Sequence, residues 1–299
     1  MLVLGHPRSG TTLLRRLLGA HPAIAAPPET HLFGACARFL DADTTADGVD
    51  MGVLAGLSFT GFEESMVLEE LRDFAFSYLD RYAQRHHKPR WADKTAFDIF
   101  HLQNIETICA DEVYYIGIIR HPLDVAVSCK EFCDAAGTYP APLHAYVRRY
   151  PQPIEAFIHS WVDTTTSLMQ LGERRPERSL ICRYEDLVVE PDAVMGSILE
   201  FVGEKPVDGL AVNALADDMT ELGFSDHKSY QTDRIHADSL ARWRSLPRPQ
   251  IDRLAPLVND LLEKCGYDTI VPGAPLSAEV LRDRYLASLA VHARKRDSK

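Results

Sequence analysis

The stretch Met1-Leu2-Val3-Leu4-Gly5-His6-Pro7-Arg8-Ser9-Gly10-Thr11-Thr12-Leu13-Leu14-Arg15-Arg16-Leu17-Leu18 reads as a strand, a turn and the start of a helix. The apolar run stops at Gly5, His6 to Gly10 are turn formers, and leucines then recur at helical spacing. The interval from Gly5 to Gly10 fits G-x-x-x-x-G-K-[ST] until the lysine, whose place is taken by Thr11, while Thr12 keeps the hydroxyl. Arg8 puts positive charge inside the loop. Backbone N–H groups at the start of a helix hold anions. A phosphate-bearing ligand is therefore expected, without the lysine that nucleoside triphosphatases place on the β- and γ-phosphates.

Outward from that loop, strands and helices alternate. Residues 90–95 read as a short strand entering a polar loop, 112–119 as a nearly continuous β-branched and aromatic strand, and 179–184 as another. Helical spacing is clearest over 63–85, where Val67, Leu71, Phe74, Tyr78 and Tyr82 recur, and is also present over 97–109, 122–133, 154–171, 192–202, 239–246, 250–264 and 278–294. The Pro-rich connector Ala25-Ala26-Pro27-Pro28 is extended, because each proline fixes its own φ and restricts its predecessor. It leads into Glu29-Thr30-His31. Residues 41–61 read as loop with one short helix, 134–153 as an irregular lid, and 223–238 as a polar loop.

This order predicts a single α/β domain over residues 1–299, with C-terminal helices from 239. The fold expected is P-loop-like, with a mainly parallel sheet flanked by helices on both faces. Ligands in such folds bind off the carboxyl ends of the strands. Arg8, Lys94, Arg120 and Tyr184 each end a proposed strand, so all four are expected on one rim.

Composition excludes some functions. A net charge of −11 on 299 residues argues against nucleic-acid binding, which calls for a basic face. No apolar run approaches the ~18 residues of a membrane span, and no secretory leader is visible. A soluble, cytoplasmic protein is the expectation. The six cysteines include no C-x-x-C pair, and no metal site is expected.

Two motifs together, Pro7-Arg8-Ser9-Gly10-Thr11-Thr12 and Arg120-His121-Pro122-Leu123-Asp124-Val125-Ala126-Val127-Ser128, give the chain its resemblance to the sulfotransferases that use 3′-phosphoadenosine 5′-phosphosulfate (PAPS). Tyr184-Glu185-Asp186-Leu187 and Ser239-Leu240-Ala241-Arg242-Trp243-Arg244 extend it toward the C-terminus. The resemblance implies that Arg8, Ser9, Gly10, Thr11 and Thr12 hold the 5′-phosphosulfate. Arg120 and Ser128 would bind the 3′-phosphate, a task suited to a guanidinium fork and a hydroxyl. Tyr184 would lie near the nucleotide, and Lys228, Ser229 and Arg234 would close over the 3′-phosphate. The likeness is nearer to the tyrosylprotein-sulfotransferase branch and its bacterial relatives than to the cytosolic aryl and steroid enzymes. It implies Glu29 as general base, with Lys94 and Arg8 stabilising the charge of the transferring group. Cytosolic sulfotransferases use a histidine base, which makes His31 the second candidate. His31 also stands where the tyrosylprotein enzymes carry an arginine for an acidic peptide, which argues against a peptide-tyrosine acceptor. The expected acceptor is a hydroxyl on a small molecule or on an acyl-carrier-bound group.

Two other readings compete. A P-loop kinase or nucleoside triphosphatase calls for a lysine at Thr11 and a magnesium-holding aspartate at a strand end. A non-catalytic nucleotide-binding protein of the same fold would have no need of Glu29 and Lys94.

Overall fold

The computed structural model describes residues 1–46, 48–207, 209–216, 235, 237–273 and 282. Strand β1 (Leu2–Leu4) leads through the loop to helix α1 (Thr11–Ala20), then to β2 (Ile24–Ala25) and α2 (Leu32–Phe39). Next come β3 (Ala42–Ala46), β4 (Val49–Gly52), α3 (Val53–Phe59), the long α4 (Glu64–Arg85) and β5 (Arg90–Trp91). A 3₁₀ turn at Asp98–His101 precedes α5 (Leu102–Cys109), β6 (Tyr115–Ile119) and α6 (Pro122–Ala136). The chain continues with α7 (His144–Arg149), α8 (Pro153–Arg174), β7 (Ser179–Arg183), α9 (Tyr184–Val189), α10 (Pro191–Phe201) and α11 (Leu210–Ala216).

β6 pairs in parallel with β1 on one side and β7 on the other, with Ile116 opposite Val3 and Leu180. β2 and β5 form a second parallel pair. A parallel bridge from Leu2 to Asp93 joins that pair to β1. The strands therefore run in the order β2-β5-β1-β6-β7. From β1 the chain goes to the outer strand β2, returns to fill in β5 beside β1, and then crosses to β6 and β7 on the other side, so the carboxyl end of β1 is the switch point where such sheets open a crevice. Parallel strands need crossover connections, and helices supply them.

Alternation along β6 sends its neighbours to opposite faces. Ile116 and Ile118 enter a core with Leu14, Leu17 and Leu18 of α1 and Ile198 and Leu199 of α10. Gly117 faces the other way, against Leu168 of α8. Burying each large aliphatic side chain contributes about 1.5–3 kcal/mol, and this double-faced core is what fixes the strand ends.

Several expectations need correction. β3 and β4 form an antiparallel pair, with Ala42 opposite Gly52 and Ala46 opposite Val49, where loop was expected. Its sequence is too polar to show the alternation of a half-buried strand. Residues 134–153, expected as an irregular lid, are mostly helical: α6 runs on to Ala136, a 3₁₀ turn spans Ala141–Leu143, and α7 follows. Pro142 and Pro153 each lie in a first helical turn, where the missing N–H is no loss. Residues 239–246 hold a 3₁₀ turn, Arg242–Ser245, in place of an α-helix. The helix over 278–294 and the polar-loop residues Lys228, Ser229 and Arg234 lie outside the described residues.

The chain divides into two compact units, Met1–Ser245 and Leu246–Lys299. The second contains the helix Arg248–Lys264, whose Ile251, Leu254, Ala255, Val258, Leu261 and Leu262 form one buried stripe. Asn259 ties it to the following chain, accepting from Ile270 N–H at 2.9 Å and donating to Ile270 O at 3.0 Å. No helix of the described residues is long and apolar enough to cross a membrane.

Candidate active site

The loop after β1 owes its shape to three close approaches. A Cβ on Gly5 would stand 2.5 Å from Ile118 O, so only glycine lets the loop leave β1 against β6. Arg8 and Gly10 both have positive φ, 74° and 97°. Ser9 N–H donates back to His6 O at 3.0 Å, closing the turn. α1 then starts with no side-chain cap and no carboxylate in its first turn. The N–H groups of that turn have no intrahelical acceptors, and the helix dipole favours an anion there. Ser9 Oγ is buried with no hydrogen-bond partner among the described residues. A Cβ on Gly10 would meet Tyr184 Cδ2 at 2.2 Å. Gly10→Ala is thus expected to cost about 2–4 kcal/mol, combining a left-handed alanine with a displaced ring. An unchanged denaturant midpoint would show that loop and ring yield freely.

Lys94 brings to the loop the lysine that the loop's own sequence lacks. β5 and the bridge to β1 carry it to the loop, where Nζ donates to Thr12 Oγ1 at 3.1 Å and to Glu29 Oε1 at 2.5 Å. The two side chains are only 2% and 6% exposed. Lys94 is paired with Glu29, not with the adjacent Asp93. Ala96 N–H adds a second donor to Glu29 Oε1 at 3.3 Å. Thr30 Oγ1 donates to Asp93 Oδ1 at 2.8 Å, and Thr95 Oγ1 accepts from His31 N–H at 3.1 Å. His31 itself is exposed, with φ 58°, at the N-terminus of α2.

Arg120 and Ser128 stand on the opposite side of the loop. Arg120 Nη1 donates to Arg8 O at 3.0 Å and Nη2 to Ser239 O at 2.5 Å. Its guanidinium lies over the Tyr184 ring, 4.7 Å from the centroid. Arg120 Nε is buried with no partner among the described residues. Arg8 Nε donates to Ser128 Oγ at 3.2 Å, and its guanidinium lies 5.4 Å from the centre of the Phe132 ring. Tyr184 OH shares a 2.7 Å hydrogen bond with Ser239 Oγ. Asp124 in the first turn of α6 accepts from Ala241 N–H and Trp243 N–H, both at 2.8 Å, and Trp243 stacks on His121.

Electrostatics separate the titratable groups. Burial pushes the Asp93 carboxyl up to about 6, against the lowering effect of its Thr30 hydrogen bond. Asp98 is pushed well above the carboxylate range, by burial first and then by Asp93 and Glu29. Burial lowers His6 to about 4, and burial with Arg120 and Arg244 does the same for His121. Both histidines are uncharged at neutral pH. Among the described residues no cluster of His, Cys, Asp and Glu is arranged to hold a metal ion.

Arg8, Ser9, Gly10, Thr11, Thr12, Lys94, Arg120, Ser128 and Tyr184 thus meet at one end of the sheet, with Glu29 joined to them through Lys94. The roles of Thr30, Thr95 and Phe132 were not foreseen. The Thr-bearing stretches Glu29-Thr30-His31 and Lys94-Thr95 were visible, but nothing in them shows that they face one another. Ser9 Oγ and Arg120 Nε, without partners among the described residues, an uncapped helix start, and the side chains of Arg8, Thr12, Lys94 and Ser128 suit a nucleotide with two separated anionic groups.

The sequence matches the family model described as "Sulfotransferase family" over residues 1–208. It is 27% identical over 284 residues to the nodulation protein NoeE of Sinorhizobium fredii, an alignment that covers 89% of this chain and 65% of NoeE. The sulfotransferase domain from the Synechococcus PCC 7002 olefin synthase superposes with a TM-score of 0.60 at 25% identity, over 90% of this chain and 94% of that one. The sulfotransferase domain from the curacin biosynthetic pathway gives 0.61 at 21% identity, over 90% and 98%, and shows the shared fold.

Proposed function

Since this chain belongs to the sulfotransferase family, we propose that it transfers the sulfuryl group of PAPS to a hydroxyl of a small-molecule or carrier-bound acceptor. The observation that carries the reading is the unbroken line from Glu29 through Lys94 to Thr12. It joins a carboxylate, a buried cation and the anion-holding loop within 2.5 and 3.1 Å contacts.

PAPS supplies an activated sulfuryl group, whose bond to the phosphate oxygen breaks as the acceptor oxygen bonds to sulfur on the opposite side. The chain's residues hold and polarise the reactants. The N–H groups of the α1 start, with Ser9 and Thr12, receive the 5′-phosphosulfate. Arg8 and Lys94 stabilise the negative charge that grows on the transferred group and the departing phosphate, a preorganised arrangement in a dry site. Glu29 takes the acceptor's proton. Its burial beside Lys94, against the exposure of His31, supports Glu29 over the histidine. The site needs no metal in this scheme, because the cations are its own side chains.

Arg120, Ser128 and Tyr184 receive the 3′-phosphate end in this reading, with Lys228, Ser229 and Arg234 as further candidates from the sequence. Arg120 also braces the loop through Arg8 O, so its removal acts on two levels. Arg120→Ala is expected to weaken 3′-phosphoadenosine 5′-phosphate by about 10–100-fold, the scale of a lost charge-assisted hydrogen bond, and adenosine 5′-phosphate by less than about fivefold. Calorimetric titration of both nucleotides checks this. Equal losses would remove the 3′-phosphate role and leave only the brace.

Activity is tested with radiosulfur-labelled PAPS against a panel of 3-hydroxyacyl thioesters, hexoses and phenols. Label in any one class fixes the acceptor. Phosphoryl transfer from magnesium-ATP with no use of PAPS would overturn the reading in favour of a kinase.

A further inference from the structure

The segment that carries Glu29 is fastened to the segment that carries Lys94 at successive positions. Thr30 Oγ1 donates to Asp93 Oδ1 at 2.8 Å, Glu29 meets Lys94 at 2.5 Å, Thr95 Oγ1 accepts from His31 N–H at 3.1 Å, and Ala96 N–H reaches Glu29 at 3.3 Å. The two segments do not pair with one another as strands, so sheet pairing does not account for the match. The fastening holds a strained turn, since His31 is a non-glycine residue at φ 58°. A left-handed residue of this kind costs about 1–2 kcal/mol and persists only where its surroundings over-determine it. Asp93 is 1% exposed, and its Oδ2 has no hydrogen-bond partner among the described residues. A buried carboxylate with one oxygen unsatisfied is costly. At this position it holds Thr30, the residue next to Glu29.

We propose that Thr30 and Asp93 are positioning residues, whose hydrogen bond sets the Glu29 carboxylate on Lys94 in the orientation from which it takes the acceptor's proton. The inference rests on the reading of Glu29 as base. Neither residue touches the reacting atoms. Their effect is on where Glu29 lies, and a misplacement of ~1 Å at a reacting group costs on the order of 10²-fold in rate. Thr30 also accepts from Leu32 N–H at 3.3 Å, so one hydroxyl ties the turn to both Asp93 and the start of α2.

Thr30→Val keeps the shape of the side chain and removes the hydroxyl; Thr30→Ser restores it. The first readout needs no substrate. In the ligand-free protein, acetylation of Lys94 by acetic anhydride is followed by mass spectrometry, with Lys88 as the internal control. Lys88 Nζ is held by Gly19 O at 2.6 Å and Ile24 O at 2.9 Å, partners that Thr30 and Asp93 do not share. Thr30→Val is expected to raise Lys94 acetylation at least about tenfold and leave Lys88 unchanged, whereas a general loss of stability would raise both. The second readout is turnover of labelled PAPS on the best acceptor of the panel. We expect kcat to fall about 10–100-fold with KM for PAPS within about threefold, and Thr30→Ser to recover both readouts. The double variant Glu29→Gln with Thr30→Val is expected to be no slower than Glu29→Gln, because no base remains to be positioned. Unchanged Lys94 protection overturns the inference. So does full turnover in Thr30→Val beside lost turnover in Glu29→Gln. Full turnover in Glu29→Gln instead removes the base reading itself, a distinct result.

Discussion

Glu29→Gln is expected to lower kcat by about 10²–10⁴-fold, the range for a lost general base, while the affinity for 3′-phosphoadenosine 5′-phosphate stays within about threefold. Glutamine keeps an acceptor oxygen for Lys94 Nζ and Ala96 N–H, which both donate to Glu29 Oε1. What it loses is basicity. The nucleotide should be little affected, because Glu29 meets the loop's Thr12 through Lys94, whose charge stays in place. Steady-state kinetics with the product nucleotide titrated in parallel separates the two quantities. Turnover near that of the unaltered protein would shift the base to His31, two residues along and exposed to the solvent.

Lys94→Met is expected to reduce both activity and stability. Removing one preorganised cation from the site costs turnover about 10²–10³-fold. Glu29 is then left as a buried charge without its closest partner, and breaking a buried pair by removing one member costs about 3–5 kcal/mol. On a chain of this length that lowers the melting temperature by roughly 5–8 °C. The double variant Lys94→Met with Glu29→Gln should regain most of the stability and none of the turnover, since neutral residues restore the balance without restoring the chemistry. Calorimetry decides the first point. A single variant that melts where the unaltered protein does would mean that Glu29 and Lys94 do not depend on one another.

Most of the site's frame was legible from local sequence. Gly5, Gly10 and the hydroxyls after them announce an anion loop, and the run ending at Ile119 announces a buried strand. Placing Arg8, Lys94, Arg120 and Tyr184 at strand ends brings them together because parallel strands share one carboxyl edge. Illegible features depend on residues far apart in sequence. Thr30 and Asp93 are 63 positions apart, and no periodicity reports on such a pair. Nor does the sequence show that Arg120 turns its Nη groups onto Arg8 O and Ser239 O. The β3–β4 pair was missed for a different reason: residues such as Asp43, Thr44, Thr45 and Asp50 give it neither an apolar face nor a strong strand propensity.

The bridge between Leu2 and Asp93 is short, yet it sets the address of Lys94. Val3 N–H donates to Asp93 O at 2.9 Å and Asp93 N–H to Met1 O at 3.0 Å. Side chains along an extended segment alternate between faces, so a slip of a single residue would turn Lys94 away from Thr12 and bring its neighbour round in its place. The charge at the loop is thus a readout of strand alignment. A chain misaligned at this one seam keeps its glycines, its hydroxyls, Arg8 and most of its core, and has lost the charge of Lys94.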